Sequence, residues 1–366
     1  MVTEYLQVMD LLWAVPYLFW STIATGFLFI SFFVVTTQQE NKHRFLPATI
    51  QWLSSFFFNR YSSIIRRKHL PRPSCSDGMI IPSISFFGGG HLWSFALGIA
   101  HHIWLHYDTS ECKFLASSCG VFGAVPLILG LDPYEWAKKD WQKCQDHYQP
   151  RHWLLTKFNV GCLNDSKHFY YALWDEYLPS DAHERCSGRL FLSTTLYPSL
   201  TNRVISEFES RDQLIWAIVG SMCLPVGFIG DFPVDVPGIG PVIDGGFSND
   251  APCFDSYTVT ASALHNKADI SPLHLSAEQL GETYLNDPIT FVDILRTPDF
   301  ERVWHIARVG ELAAAHCPSF DRKEWTIRKF QRSTSKPTFS TLSPSGKELR
   351  RSQRLLNLEP EVEEAF

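Results

Sequence analysis

The chain has 366 residues, 45% of them hydrophobic and 14% aromatic, and a formal net charge of −6. That length buries a substantial core in one large domain or two modest ones, while the mild acidity lends no support to nucleic-acid binding. The nine cysteines are odd in number, scattered and without a C-x-x-C pair, which argues for a reducing compartment and against a disulfide framework or structural zinc.

An uncharged apolar run extends from Leu11 to Val35. At about 25 residues it is long enough to cross a hydrocarbon core as a helix. Glu4 and Asp10 precede it, where a cleaved signal would carry basic residues, so residues 1–40 are expected to be a retained membrane-anchoring segment. Pro16 and Gly26 leave a hairpin in one leaflet open as the alternative to a span. Lys42, Arg44, Arg60, Arg66, Arg67 and Lys68 follow, and the positive-inside bias then places the rest of the protein in the cytoplasm. Between these cations lie Gln51 to Phe58, Tyr61, Ile64 and Ile65. Residues 41–78 therefore read either as an interfacial segment on anionic head groups or as aromatics packed on the globular domain. They end in the turn-rich linker Pro71–Gly78.

Ile80–Phe87 predicts a strand, Gly88, Gly89 and Gly90 a turn, and Leu92–His106 an apolar helix. Strand, glycines and helix form a recurrent cradle of backbone N–H groups, suited to a phosphate or an oxyanion. Trp93 fills the sixth position of a dinucleotide fingerprint and argues against that ligand. Phe114-Leu115 then ends a buried strand, and Ala116-Ser117-Ser118-Cys119-Gly120 turns into a helix running from Val121 to about Leu129. Ser118 occupies the nucleophile position of a G-x-S-x-G elbow whose first glycine is alanine. An ordinary buried turn is the competing reading.

Pro133–Tyr148 predicts an amphipathic helix, and the aromatic-rich stretch His152–Pro179 reads as a lid, an acyl-chain wall or core filling. Arg189–Thr195 and Arg203–Phe208 predict strands, Asp212–Met222 a helix, and Val242-Ile243 a strand that delivers Asp244 onto Gly245-Gly246 at a sheet edge. Residues 273–330 read as a helical extension in which Asp299–Ala315 is periodic and Trp304 and His305 are structural; 331–366 read as a disordered tail. Three other candidates weigh less. Ser117 has the bulky flanks Leu115 and Cys119, and Cys119 suits packing better than reactivity. His102 and His106 have metal-like i, i+4 spacing but no acidic ligand cluster, so no metal is expected.

Taken in order, the glycine loop Phe86–Leu92, the elbow Ala116–Gly120 and Asp244-Gly245-Gly246 resemble the patatin-like phospholipase family. Val204–Phe208, Ser221–Pro225 and Phe247–Pro252 add to the resemblance, and Ala268–Pro272 is similar to a segment of the triacylglycerol-lipase branch. The likeness runs from Ile80 to Pro272 and implies an α/β fold, a three-layer α/β/α domain over residues 79–272 with a mostly parallel central sheet. With the reading of residues 1–40, an N-terminal transmembrane or anchoring helix precedes it. The resemblance also implies a Ser118–Asp244 dyad, an oxyanion hole from Gly88, Gly89 and Gly90, and neither cofactor nor metal.

Asp244 would accept the Ser118 proton as the oxygen attacks an ester carbonyl, and water would then release a fatty acid from the acyl-serine. The partners so implied are a glycerolipid substrate, triacylglycerol or phospholipid, and a membrane or lipid-droplet surface. The expected location is the endoplasmic reticulum or lipid droplet, with no nucleic-acid partner and any regulatory protein unidentified. Two residues depart from the family pattern. Ala116 replaces the elbow's first glycine and adds only a methyl group, whereas Trp93 replaces a glycine of the oxyanion region. A transacylase using the same serine, a catalytically silent membrane scaffold and a conventional histidine triad stay open beside this reading.

Overall fold

The structure, a computed structural model, describes residues 68–73, 80–148, 167–224, 232–289, 291–294, 300–322 and 324–325. The expected membrane segment 1–40, most of the interfacial stretch 41–78 and the tail 331–366 lie outside them. Among the described residues no helix is long and apolar enough to cross a membrane.

The described strands form one seven-stranded sheet: β1 (Ser83–Phe86), β2 (Lys113–Ser117), β3 (Leu190–Leu196), β4 (Asn202–Ile205), β5 (Val234–Val236), β6 (Gly240–Asp244) and β7 (Val259–Ala261). β7, β1, β2 and β3 are parallel neighbours in that order. All four residues of β1 and the last four of β2 are buried, as a parallel strand covered on both faces requires. β1 begins after Pro82, which has no N–H to give to the ladder. The expected mixed α/β class with a mostly parallel centre is therefore present, with antiparallel pairing confined to β4, β5 and β6.

Register matters most at β3. β2 ends with Ser117 opposite Ser193, and β6, running the other way, ends with Asp244 opposite Thr194. At both levels β4 pairs with β3 as well, through Val204 and Arg203. A strand has only two edges, so β2 and β6 must share one of them, end to end. The last residues of the two strands are thereby brought together although 127 positions separate them.

The helices are α1 (Trp93–His106), α2 (Val121–Leu129), α3 (Pro133–Tyr148), α4 (Lys167–Tyr177), α5 (Ala182–Cys186), α6 (Arg211–Met222), α7 (Gly246–Asn249), α8 (Ala277–Asn286) and α9 (Phe300–Ala315). Every residue of α2 is buried, the pattern of a helix enclosed on all sides. α9 lies directly on α1: a side chain on Gly98 would strike the Ala307 carbonyl, and one on Gly310 the Phe95 carbonyl. The extension after residue 272 thus packs into the same core. Glu311 on α9 also accepts hydrogen bonds from Tyr134 and Arg308 and lies 3.2 Å from His101 Nδ1.

Aromatic rings join α1, α2, α4 and α3 in a chain, Trp93–Phe122–Trp174–Trp136, with centroids 5.6, 5.1 and 5.2 Å apart. In the described part of the 152–179 stretch, Tyr170, Leu173, Trp174 and Leu178 are buried in the core while Asp175 and Glu176 are exposed; residues 149–166 lie outside the described set. Trp304 meets Tyr134 edge to face and His305 reaches the Asp287 carbonyl, both in structural roles. Upstream of β1, Leu70 and Arg72 bind Cys253 and Asp255, so residues 68–73 are laced onto the domain.

Candidate active site

The elbow forms because β2 delivers a run of small residues to a point where nothing larger fits. A Cβ on Gly120 would lie 2.3 Å from the Phe86 carbonyl oxygen of the neighbouring strand. Ser118 itself has φ 52°, a left-handed conformation that costs a non-glycine residue about 1–2 kcal/mol and turns its side chain out of the sheet. That conformation is held from below. The Ser118 N–H donates to Ser221 Oγ at 3.0 Å, and Ser221 in turn donates to the Ser193 carbonyl at 2.7 Å. The α2 helix starts three residues later, so its positive end lies close to the serine.

The Ser118 hydroxyl donates to Asp244 Oδ2 at 2.5 Å, and the Gly246 N–H donates to Asp244 Oδ1 at 2.7 Å. Asp244 is 5% exposed. Burial pushes its carboxyl up to about 7; the hydrogen bonds from Ser118 and Gly246 oppose that rise, and the Asp250 carboxylate adds to it. A group with that affinity is half ionised near neutrality, the range in which a carboxylate works best as a general base.

The three loop glycines do not share one environment. Gly88 abuts the serine: a Cβ there would lie 3.0 Å from Ser118 Cβ, and its N–H donates to Asp250 Oδ1 at 3.2 Å. Gly89 lies near Cys119, whereas Gly90, at φ 56°, faces the Ile294 carbonyl. Trp93 starts α1 in ordinary helical geometry and packs on Phe122 within the core. Ala116 is buried in β2 in extended register with Phe86.

The lesser candidates separate cleanly. Ser117 is buried with its hydroxyl beside Gly245. Burial raises the Cys119 thiol well above its usual range, with Asp244 and Asp250 adding to the rise, so a reactive thiolate does not form there. The His102 and His106 rings lie 4.6 Å apart, and burial takes His102 down to about 4, with His106 adding to the fall. Ser221, Asp250 and His265 were not recognised as site residues. Ser221 and Asp250 lie inside motif stretches, but no sequence signal links Asp250 to His265, whose Nε2 is 3.3 Å from its Oδ2.

An apolar cleft opens beside Gly88 and Gly89, walled by Phe87, Phe95, Ile99 and Ala263. Its free volume of about 10 Å³ is that of one water-sized sphere.

No family model matches the sequence. Over 201 residues it is 30% identical to patatin-like phospholipase domain-containing protein 2 of Mus musculus, which covers 52% of this chain and 38% of the relative. It is 29% identical over 208 residues to patatin-like phospholipase domain-containing protein 5 of Homo sapiens, 52% of this chain and 44% of the relative. With 1-acylglycerol-3-phosphate O-acyltransferase Pnpla3 of Mus musculus it shares 32% identity over 118 residues, 31% of this chain and 28% of the relative. The chain thus spans less than half the length of these curated relatives.

Proposed function

We propose that this chain, related to the patatin-like phospholipases over about half its length, is a lipid acyl hydrolase acting through a Ser118–Asp244 dyad. The observation that carries the reading is the hydrogen bond from the Ser118 hydroxyl to a buried carboxylate at 2.5 Å. Asp244 takes the proton as Ser118 Oγ attacks the ester carbonyl, and returns it to the departing alcohol. The tetrahedral oxyanion is stabilised by the glycine-loop N–H groups that follow Gly88, whose own N–H is given to Asp250, and by the positive end of α2. Water activated by Asp244 then cleaves the acyl-serine and frees a fatty acid. The apolar cleft beside the loop and the word phospholipase in the relatives' names support a phospholipid ester as substrate, and the likeness of Ala268–Pro272 to the triacylglycerol-lipase branch adds triacylglycerol. The Leu11–Val35 run and the cations after it support anchorage in an endoplasmic-reticulum or lipid-droplet surface, with the domain facing the cytoplasm.

A second reading, acyl transfer by the same serine, is favoured by the acyltransferase among the relatives. One experiment addresses both. The full chain is labelled with a fluorophosphonate and assayed on triacylglycerol and phospholipid emulsions, with and without added diacylglycerol. Labelling and fatty-acid release are expected in the wild type, both falling about a thousandfold or more in Ser118→Ala. Acylated acceptor in place of free fatty acid would mark the transferase. Equal turnover by the wild type and Ser118→Ala would refute the dyad, and absence of labelling and turnover in the wild type would favour a scaffold.

A further inference from the structure

Asp250 follows α7 and is 8% exposed. Its Oδ1 is wedged between the two loops that carry the proposed chemistry. It accepts the Gly88 N–H at 3.2 Å, and a Cβ would approach it to 2.9 Å from Gly88 and to 3.1 Å from Gly246. Its Oδ2 lies 3.3 Å from Nε2 of His265, which is 1% exposed. The His265 ring is braced edge-on against Phe87, the residue before the glycines, at 5.8 Å. The path from His265 through Asp250 to Gly88 therefore ends at the residue that touches Ser118.

We infer that Asp250 is a positioning residue of this site: backed by His265, it pins the glycine loop against Ser118 and stands as a second carboxylate beside Asp244. The inference rests on the dyad reading and adds two separable roles. The first is mechanical. A glycine loop has no side chains of its own to fix its amides, and an oxyanion hole works only if its donors are in place before charge develops. A carboxylate on the Gly88 N–H makes a charge-assisted hydrogen bond, stronger than a neutral acceptor would make. It also occupies that N–H, which leaves the following amides of the loop for the oxyanion.

The second role is electrostatic. A like charge beside a buried carboxyl disfavours its ionisation, so Asp250 adds, after burial, to the rise that makes Asp244 a strong enough base. The other ionisable groups facing the pair are His265 and the Cys119 thiol, and burial first, then both carboxylates, keep that thiol protonated.

The two roles come apart in substitutions. Asp250→Asn keeps an oxygen for the Gly88 N–H and removes the charge; Asp250→Ala removes both. The test is the pH profile of kcat and kcat/KM for ester hydrolysis by the full chain. Both variants are expected to move the acid limb to lower pH, because the like charge beside Asp244 is removed. The Ala variant is expected to lose at least about tenfold more plateau kcat than the Asn variant, with KM little changed. An unmoved acid limb, or equal kcat in the two variants, would overturn the inference. His265 supplies a second comparison should Asp250→Ala not fold. Gln keeps a polar amide facing Asp250 and Leu does not, so His265→Gln is expected to keep about tenfold more kcat than His265→Leu. Equal activity of that pair would overturn the inference too. Either negative result leaves fluorophosphonate labelling at Ser118 intact, whereas failure of the dyad reading removes the Ser118 dependence itself.

Discussion

Replacing Asp244 by Asn tests the electrostatics of the site without reference to any substrate. In the folded protein burial raises this carboxyl from 3.8 to about 7, so the folded state holds its proton over a pH range in which the unfolded chain has released it. Stability contributed by this group is therefore fully present below about pH 4 and is lost as pH rises towards 7, by about 1.4 kcal/mol per unit. Summed over the shift, ionising Asp244 in place costs the fold about 4 kcal/mol, a large share of the 5–15 kcal/mol typical of a domain. Asn has nearly the same shape, retains an oxygen for the Gly246 N–H and cannot ionise. Asp244→Asn should be inactive, and its stability relative to wild type should rise by about 3 kcal/mol between pH 5 and pH 8. Urea denaturation of the full chain at the two pH values measures this directly. A stability gap that is the same at both would refute the argument, because it would mean that Asp244 ionises as easily in the fold as outside it. The same affinity places the acid limb of the wild-type rate profile near pH 7.

Two further outcomes follow from packing and hydrogen bonding. Ser221→Ala removes both the acceptor of the Ser118 N–H and the donor to the Ser193 carbonyl. It should lower stability by about 1–3 kcal/mol and kcat by about tenfold or more as the elbow relaxes, read by denaturation and ester hydrolysis; unchanged values in both would show that Ser221 does not hold the turn. Trp174 is fully buried between Phe122 and Trp136, so Trp174→Ala should cost about 3–5 kcal/mol by urea denaturation, and a loss under 1 kcal/mol would contradict its place in the core.

Several helices were legible from their apolar stripes, but α4 was not: its buried face of Tyr170, Leu173 and Trp174 lies in an aromatic-rich stretch without a clear period. Val121–Leu129 and Pro133–Tyr148 coincide with their expected bounds, and α1, α6 and α9 differ by one residue at the start. β5 and β7 were not legible, because three residues between turns carry no period to read. At the site, each side chain showed as a strand end followed by small residues. Their meeting did not show, since it depends on β4 filling the far edge of β3, and no local pattern encodes which edge a strand takes. Trp93 stands out in the sequence as a departure within the oxyanion region; the sequence does not say that it has already entered α1, with its ring turned to Phe122. Asp250 and His265 are adjacent only through the tertiary fold.

On the proposed reading, the burial that makes Asp244 a base also bears on where the acyl group goes. Water attacks the acyl-serine only if it reaches Asp244, and that carboxylate is 5% exposed. An alcohol carried on a lipid arrives by the same apolar route as the substrate and at the same surface, so its effective concentration at the acyl-serine rises with anchorage. Freed from a lipid surface in detergent, the enzyme sees the acceptor diluted while water is not. On this reading hydrolysis is expected to gain on transfer in detergent and transfer on a lipid surface, measured as the ratio of free fatty acid to acylated acceptor.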